Sequence, residues 1–548
     1  MYAGKGTRRL LVLAGMGVLP VCAQAAPPAA PPTPGAIGDT LKQPPALQMP
    51  TQTPGISTPQ ARAPAGGGQG ATLTVSHFSF SGNTLFGEDL LQPLVADYVG
   101  HPITLAQLYE AADKVADFYN QKGYTLASVN VPAQKVKDGN VRLEVIEGRI
   151  GKLGFEGKRR YRDDILRGFA HHVHEQDIYH TGPLEQDLQA LNALPGLAAR
   201  AVIQPGKDYG SSDVTVKVQE DPIDGYVVMD NYGRKDTGTY RVSGSVTLNN
   251  PAGIADQLTV LGTHSTDNHL NYGYVDYNLP LNFSGTRLDL NFGHAHFNAA
   301  PFNVPGQNNN FQLSLIQSWV RDSTDTLSTT AGFIHTDGNA DLSSGIVLSD
   351  TKINLLNLGL AWSHIWSNSA VTQYTLDAHT NFSQVYQRPD GTENRNHERL
   401  RLEANIQHLQ PLPAKFQLLL QSDGVYSPDP LADTEQFSIG GPTTIRGFPS
   451  SESRGDRGVF GLLTLRRPFT FGELALVPRV YYDAGLVYNK NFAGTPNRRN
   501  SLSSAGLGAD LIYRTIDLKV DWAYPLDSTP VSDGRNDGRV YASLSAGF

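Results

Sequence analysis

The chain has 548 residues, a net charge of −8 and 39% hydrophobic residues. That length leaves room for several domains, and the acidic balance excludes a global field for nucleic acid. The only cysteine is Cys22, and beyond the leader no stretch reaches the ~18 consecutive apolar residues of a membrane helix, so neither a disulfide framework nor a helical span organises the chain.

Met1 to Ala25 has a basic start (Lys5, Arg8, Arg9), an apolar Leu10–Val21 core and Ala23-Gln24-Ala25 before Ala26. That is the pattern of a secretory signal peptide, residues 1–25. The alternative is a lipoprotein anchored at Cys22, although Val21 is bulkier than the residue usual there. Cleavage after Ala25 leaves a mature chain with no cysteine to form disulfides. Residues 26–70 are dominated by Pro, Ala, Gln and Gly. Such a composition buries too little apolar surface to offset ordering entropy and reads as a linker. Within it, Ile37 to Gln43 is compatible with a short plug helix, with Asp39 near its start.

Residues 71–148 change character. Leu73–Phe80 alternates as a strand. Asp89–Tyr98 and Leu105–Lys122 carry apolar residues at helical spacing, with Thr104 as N-cap and Gly123 as stop. Leu126–Val131 and Val141–Ile146 read as strands around a turn at Asp138-Gly139. The same order recurs over 149–222: strand Ile150–Phe155, helices Arg162–Phe169 and Gly182–Ala193, strands Ala199–Gln204 and Val214–Gln219. Two units of about 75 residues form an internal repeat.

From 223 to 548 the texture is strand and turn only. Ala255–Gly262, Thr286–Phe292, Gln312–Trp319 and Thr372–Ala378 each show one apolar and one small or polar face. Polar tips are expected at Gln307–Asn310, Pro389–Thr392 and Asp533–Asp537, and an aromatic girdle at Tyr272, Tyr274, Tyr277, Tyr481, Tyr482 and Tyr488. At roughly 10 residues per strand plus its loops, about 16 strands fit. The fold class is therefore mainly β: a C-terminal transmembrane antiparallel barrel preceded by two α+β units. In the last strand Val540, Ala542, Leu544, Ala546 and Phe548 share one face by period two.

Between strands expected at Phe416–Gln421 and Val459–Leu465 runs a Gly-, Ser- and charge-rich stretch, 439–458. A loop of this length without secondary structure is usually functional or disordered. Arg446 lies in it; Asp483 lies among strand residues downstream. In a closed barrel the two can form an internal ion pair. The bland reading is a pair of surface charges, which contribute little.

Chemistry is sparse elsewhere. His171-His172-x-His174 reads as a structural tract at a helix end rather than a metal site. Arg159-Arg160 and Arg466-Arg467 read as solvated or membrane-edge charges. No Gly-x-Ser-x-Gly, His-Glu-x-x-His or phosphate-binding glycine loop occurs. The expectation is no enzyme, no catalytic residue, no cofactor and no metal.

A strand ending in Gly82-Asn83-x-x-Phe86, followed by two helices and a hairpin, resembles the POTRA (polypeptide-transport-associated) domain. The second unit has Phe155-Glu-Gly-Lys158 instead of the Asn motif. A signal peptide, a Pro-rich linker, two such units and a barrel together resemble the two-partner secretion transporters, TpsB type, of the ShlB/FhaC/HecB haemolysin secretion and activation family. The specific motifs are Ile445-Arg446-Gly447-Phe448, similar to that family's Val-Arg-Gly-Tyr/Phe, and Tyr482-Asp483-Ala484-Gly485, similar to its Phe-x-Asp-x-Gly. Val228–Gly233 and Asn250–Asp256 also look like family segments.

The resemblance implies an outer-membrane pore for an unfolded partner. The 439–458 loop would fold into the lumen, and Arg446, Gly447, Phe448, Asp483 and Gly485 would hold or gate it. Phe548 would be the barrel assembly signal. Implied partners are a large secreted exoprotein (haemolysin, adhesin or contact-dependent toxin), the barrel assembly machinery and outer-membrane lipid, with the pore a monomer and its POTRA units in the periplasm. An assembly factor (insertase) of the same superfamily and a haem or ligand uptake receptor are the alternatives.

Overall fold

A computed structural model describes residues 33–41, 55–57, 72–301, 303–321, 324–342, 344–387, 393–395, 399–489, 498–527, 532–535 and 537–548. The expected signal peptide and the Pro389–Thr392 tip lie outside the described residues.

The C-terminal part is a closed antiparallel barrel of 16 strands, running from Ile223–Asp230 to Arg539–Gly547. Every strand's backbone groups find partners in its neighbours, and closure removes the two sheet edges, which is what a sheet in hydrocarbon requires. The first and last strands pair from Tyr226 with Gly547 to Asp230 with Ser543. Phe548 N donates to Gly225 O at 3.0 Å and Gly225 N to Phe548 O at 3.2 Å.

Period two sorts the residues. Val227, Met229, Leu356, Leu358, Leu360, Val540, Leu544 and Phe548 are exposed on the outer wall, while Thr263, Ser314, Thr336, Asn357, Gln407, Asp483 and Ser504 are buried inward. An outer surface this apolar is stable in lipid rather than in water. Among the described residues no helix is long and apolar enough to cross a membrane.

The strands are longer than the sequence pattern suggests. Val304–Arg321 has 18 residues and Val347–Ile365 has 19, against about 9–11 needed to span hydrocarbon. The excess extends the wall beyond the membrane on the side away from the N-terminal units. Gln307–Asn310 is therefore not a loop tip: Gln307 pairs with His296 and Asn339 within the sheet. Polar residues on both faces mark a strand that has left the lipid, and carry no turn chemistry.

The girdle also splits. Tyr277, Tyr482 and Tyr488 take the outward parity, but Tyr272, Tyr274 and Tyr481 face the lumen, Tyr481 being buried.

The N-terminal units repeat one plan. In the first, His77–Ser81 runs parallel to Asn140–Ile146, which pairs antiparallel with Ser128–Asn130. The Leu105–Gln121 helix starts at a capping box between Thr104 and Gln107 and buries Leu108, Ala111, Ala112, Val115 and Tyr119 against that sheet. Asp138 and Gly139 both have positive φ, as a tight hairpin turn needs. In the second, Arg149–Glu156, Leu197–Pro205 and Ser211–Glu220 form the sheet, packed by helices Asp163–Phe169 and Thr181–Asn192.

A shared device explains the repeat better than the Asn motif does. Gly82 and Gly157 each turn at positive φ, where a Cβ would strike the carbonyl oxygen of Val145 or Val218. Beside each glycine a buttressing carboxylate gathers the turn's donors. Glu147 accepts from Leu85 N at 2.7 Å, Tyr119 Oη at 3.2 Å and Thr84 Oγ1. Glu220 accepts from Arg159 N, Arg160 N and Tyr161 N at 2.7, 2.8 and 3.2 Å.

The units touch through Tyr124 and His180, ring centroids 4.8 Å apart. The second abuts the barrel where Phe169 meets Phe283 at 5.1 Å and Ala255 joins its core.

Candidate functional site: a pinned ribbon and a helix in the lumen

The 439–458 stretch carries some structure of its own. Phe437–Ile439 pairs with Ser453–Gly455, making a short ribbon that folds inward. Gly440 and Gly441, at φ 107° and 111°, turn the chain at its inner end. Ile439, Ile445 and Phe448 are buried against Val425, Leu462, Val487 and Leu502 of the wall, so apolar packing seats the ribbon and charge fixes its register.

Arg446 and Asp483 meet on the inner face. Nη2 donates to Oδ1 at 2.6 Å, and Nε and the backbone N donate to Oδ2 at 2.8 and 3.2 Å. This is the fork geometry that only a guanidinium supplies. Asp483 has no exposed surface and receives a further hydroxyl from Ser504 at 3.4 Å. The guanidinium lies 3.3 Å from the Tyr481 ring centroid, a cation–π contact on its other side.

Gly447 passes so close to the wall that a Cβ would sit 2.7 Å from Ser504 Cβ, and its carbonyl accepts from Arg539. Phe448 is fully buried and its carbonyl accepts from Tyr541 Oη at 2.7 Å. Gly485 clears room for the ribbon: a Cβ there would lie 2.9 Å from Phe460 Cβ and 3.3 Å from Ile439 Cγ2. Phe548 stands apart, at the seam, its ring over Gly225.

A second element shares the lumen. Pro34–Leu41, within the compositional linker, is helical. Too short to be stable alone, it is held by contacts. Ile37 is fully buried against Leu270, Phe297 and Val304. Asp433 accepts from Gly35 N at 2.7 Å and Thr33 Oγ1 at 2.6 Å, an anion at a helix N-terminus. Arg454, on the ribbon, bridges Asp433 and Asp39. Arg241 donates to Thr40 O at 2.7 Å while paired with Asp230.

Sequence reasoning brought Arg446 and Asp483 forward as a pair but not Arg454, Asp433 or Arg241, and it gave Tyr481 a place in the aromatic girdle rather than in the site. Tyr481 was within reach: it lies two residues before Asp483, on the same face. Arg454 and Arg241 pair with acids 21 and 11 residues away, Asp433 and Asp230, but the contacts of Arg454, Asp433 and Arg241 with the Pro34–Leu41 helix span 201 to 415 residues, which no local pattern encodes.

The histidine tract is tied by a residue outside it. His172 Nδ1 lies 2.7 Å from Asp187, which also accepts from the backbone N of His172 and Val173. Among the described residues no group of three or more His, Cys, Asp or Glu is arranged to hold a metal. Arg159 and Arg160 offer their N–H groups to Glu220, and Arg467 lies over the Phe416 and Phe469 rings.

The model of the haemolysin secretion/activation protein family ShlB/FhaC/HecB matches residues 210–511, and that of the ShlB-type POTRA domain matches 73–148. The chain belongs to the haemolysin secretion/activation family. It is a two-partner secretion transporter of the outer membrane, with its N-terminal domain on the periplasmic side. Among relatives, the outer membrane transporter CdiB of Dickeya dadantii is 26% identical over 485 residues, 84% of each chain. The heme/hemopexin transporter protein HuxB of Haemophilus influenzae is 22% identical over 459 residues, 80% of this chain and 81% of the relative. The solved structure of CdiB from Escherichia coli shares the fold, with a TM-score of 0.66 and 22% identity over 93% of this transporter and 95% of that chain.

Proposed function

We propose that the ribbon and the Pro34–Leu41 helix close the lumen at rest, and that the transporter opens when an unfolded client displaces them. The supporting observation is the Arg446–Asp483 fork. A fully buried carboxylate with all its strong donors on one inserted segment makes that segment's seat a two-state element.

The client is a large secreted exoprotein of the haemolysin, adhesin or contact-dependent toxin class. It is met in the periplasm by both N-terminal units, the second acting as a POTRA domain like the first, through β-augmentation. Residues 1–25 direct the chain to export and Phe548 marks the last strand for the barrel assembly machinery. The pore works as a monomer, and client folding outside the cell supplies the driving force.

The experiment places a photoreactive phenylalanine analogue at lumen-facing Tyr272 and, as control, at outward-facing Phe311, in cells that express the transporter together with its secreted partner exoprotein. Cross-links from position 272 alone are expected. Cross-links from neither, or equally from both, refute passage through the lumen.

A further inference from the structure

On the outside of the barrel a hollow of about 440 Å³ is bordered by His264, His294 and His296. All three imidazoles are exposed and share the outward parity of Val260 and Phe292. They lie toward the strand ends remote from the N-terminal units, His264 near the end of Gln257–Ser265 and the other two in the second half of Thr286–Ala299. The ladder fixes their arrangement: His264 stands opposite Asn271 and Asn271 opposite His296, while Gly273 stands between Gly262 and His294. With strands about 4.8 Å apart and a rise of about 3.4 Å per residue, the rings bound a patch roughly 7–10 Å across.

Two of the rings are held in one orientation. Nδ1 of His264 donates to Asn271 Oδ1 at 2.8 Å, and Nδ1 of His294 to Asn309 Oδ1 at 2.7 Å. An amide oxygen only accepts, so these Nδ1 atoms carry the proton and each Nε2 is left for a ligand. The floor is bare backbone at Gly262 and Gly273, and packing does not require glycine at either. A Cβ at Gly273 would meet no atom within 4 Å, and one at Gly262 would come no nearer than 3.9 Å, to Tyr272 O. Glycine inside a strand weakens it and often marks a close approach to the backbone.

Below the hollow Val246, Val260, Val275 and Phe292 are exposed to lipid. Beside it Gln307 and Asn309, opposite His296 and His294, belong to the stretch that has left the lipid. The hollow therefore sits at headgroup level, with an aliphatic side and an imidazole side. On the outward parity of Arg241–Asn249, Gln257–Ser265, Leu270–Pro280 and Thr286–Ala299 there is no carboxylate, Lys or Arg. Asp276, Arg287 and Asp289 take the lumen parity, and Asp267 is at the hairpin tip. A metal ion does not suit the site: Asn271 separates His264 from His296, and among the described residues no group of three or more His, Cys, Asp or Glu is arranged to hold one.

We propose that this hollow seats one phosphorylated glycolipid of the outer leaflet, its phosphate against His264, His294 and His296 and an acyl chain along the valines below. The seat rests on the barrel's place in the outer membrane and is independent of the exported client.

The test uses the full-length transporter, delipidated in detergent, with bisphosphorylated lipid A as the probe and native mass spectrometry as the readout. Wild type is expected to retain one lipid. His264→Gln with His294→Gln and His296→Gln should weaken retention about tenfold or more, the usual worth of a hydrogen bond to a charged group. Gly273→Leu fills the hollow from a position where the fold leaves room, and should abolish retention with all three imidazoles intact. Heat-modifiable gel mobility checks that both variants remain folded barrels. A protonated ring donates from Nε2 and a neutral one does not, so wild type should retain more lipid at about pH 6 than at about pH 8, on either side of the ordinary histidine value, and the triple variant should lose that difference. Equal retention by wild type and both variants overturns the seat. Equal retention of lipid A stripped of its phosphates overturns the role of the imidazoles, and inorganic phosphate binding as tightly as lipid A overturns the lipid as occupant; none of these results touches the secretion reading.

Discussion

Replacing Arg446 by Ala strips Asp483 of its two guanidinium N–H bonds and leaves a backbone donor at 3.2 Å and the Ser504 hydroxyl at 3.4 Å. Leaving one member of a buried pair unpartnered costs about 3–5 kcal/mol. The lost contact with the Tyr481 ring adds about 1–2 kcal/mol. Against this, Ile439, Ile445 and Phe448 stay buried, each worth about 1.5–3 kcal/mol as an upper figure. The apolar seat and the ionic pin are therefore comparable, so losing one loosens the ribbon and losing both releases it. Single-channel conductance is expected to rise in frequency of opening from wild type to Arg446→Ala, and to a large steady level in Arg446→Ala with Phe448→Ala. Arg446→Lys falls between, since one ammonium cannot reproduce the fork. Denaturation of Arg446→Ala, Asp483→Ala and the double variant closes a cycle. A coupling energy below about 0.5 kcal/mol, the scatter expected of independent sites, would refute a pin.

Arg454→Gln removes the charge joining Asp39 and Asp433, so the Pro34–Leu41 helix should leave the lumen; protease cleavage within residues 26–70 on intact membranes should rise severalfold while the barrel stays folded. Gly485→Val drives a side chain toward Phe460 and Ile439, at about 1–3 kcal/mol for overpacking, and should unseat the ribbon with Arg446 intact, visible as raised conductance. Phe548→Ser removes the terminal aromatic, and heat-modifiable gel mobility should show less folded barrel at equal expression. Burial first, then the neighbouring Glu147 charge, raises the Tyr119 phenol above its ordinary value. The folded state thus holds that proton more tightly, and this contribution is present below about pH 10 and lost above it. The near-ultraviolet dichroism of residues 72–222 should therefore melt more easily as pH rises past 10, and less so in Tyr119→Phe.

Much of the fold is legible because its determinants are local. Period-two alternation at Val540–Phe548 states which residues face lipid. Helical spacing at Leu108, Ala111, Ala112 and Val115, with Thr104 before it, states a helix and its start. The pairing of Arg446 with Asp483 is suggested by the two motifs and by barrel closure together. What stays hidden is set by distant contacts. The Pro34–Leu41 helix has linker composition, and only Asp433, Arg454 and the barrel wall make it a helix. Gln307–Asn310 reads as a tip because local polarity cannot separate a strand beyond the membrane from a turn. The Gly82–Glu147 and Gly157–Glu220 devices join residues about 65 apart, where sequence offers a glycine and an acid and no sign that they meet.

The most direct test follows the secreted partner exoprotein in cells with and without the transporter, by protease accessibility on intact cells. The account expects it to be surface-exposed in the first case and stranded in the periplasm in the second, with other outer-membrane barrels at normal levels. Surface exposure without the transporter, or a general loss of outer-membrane barrels, would contradict it.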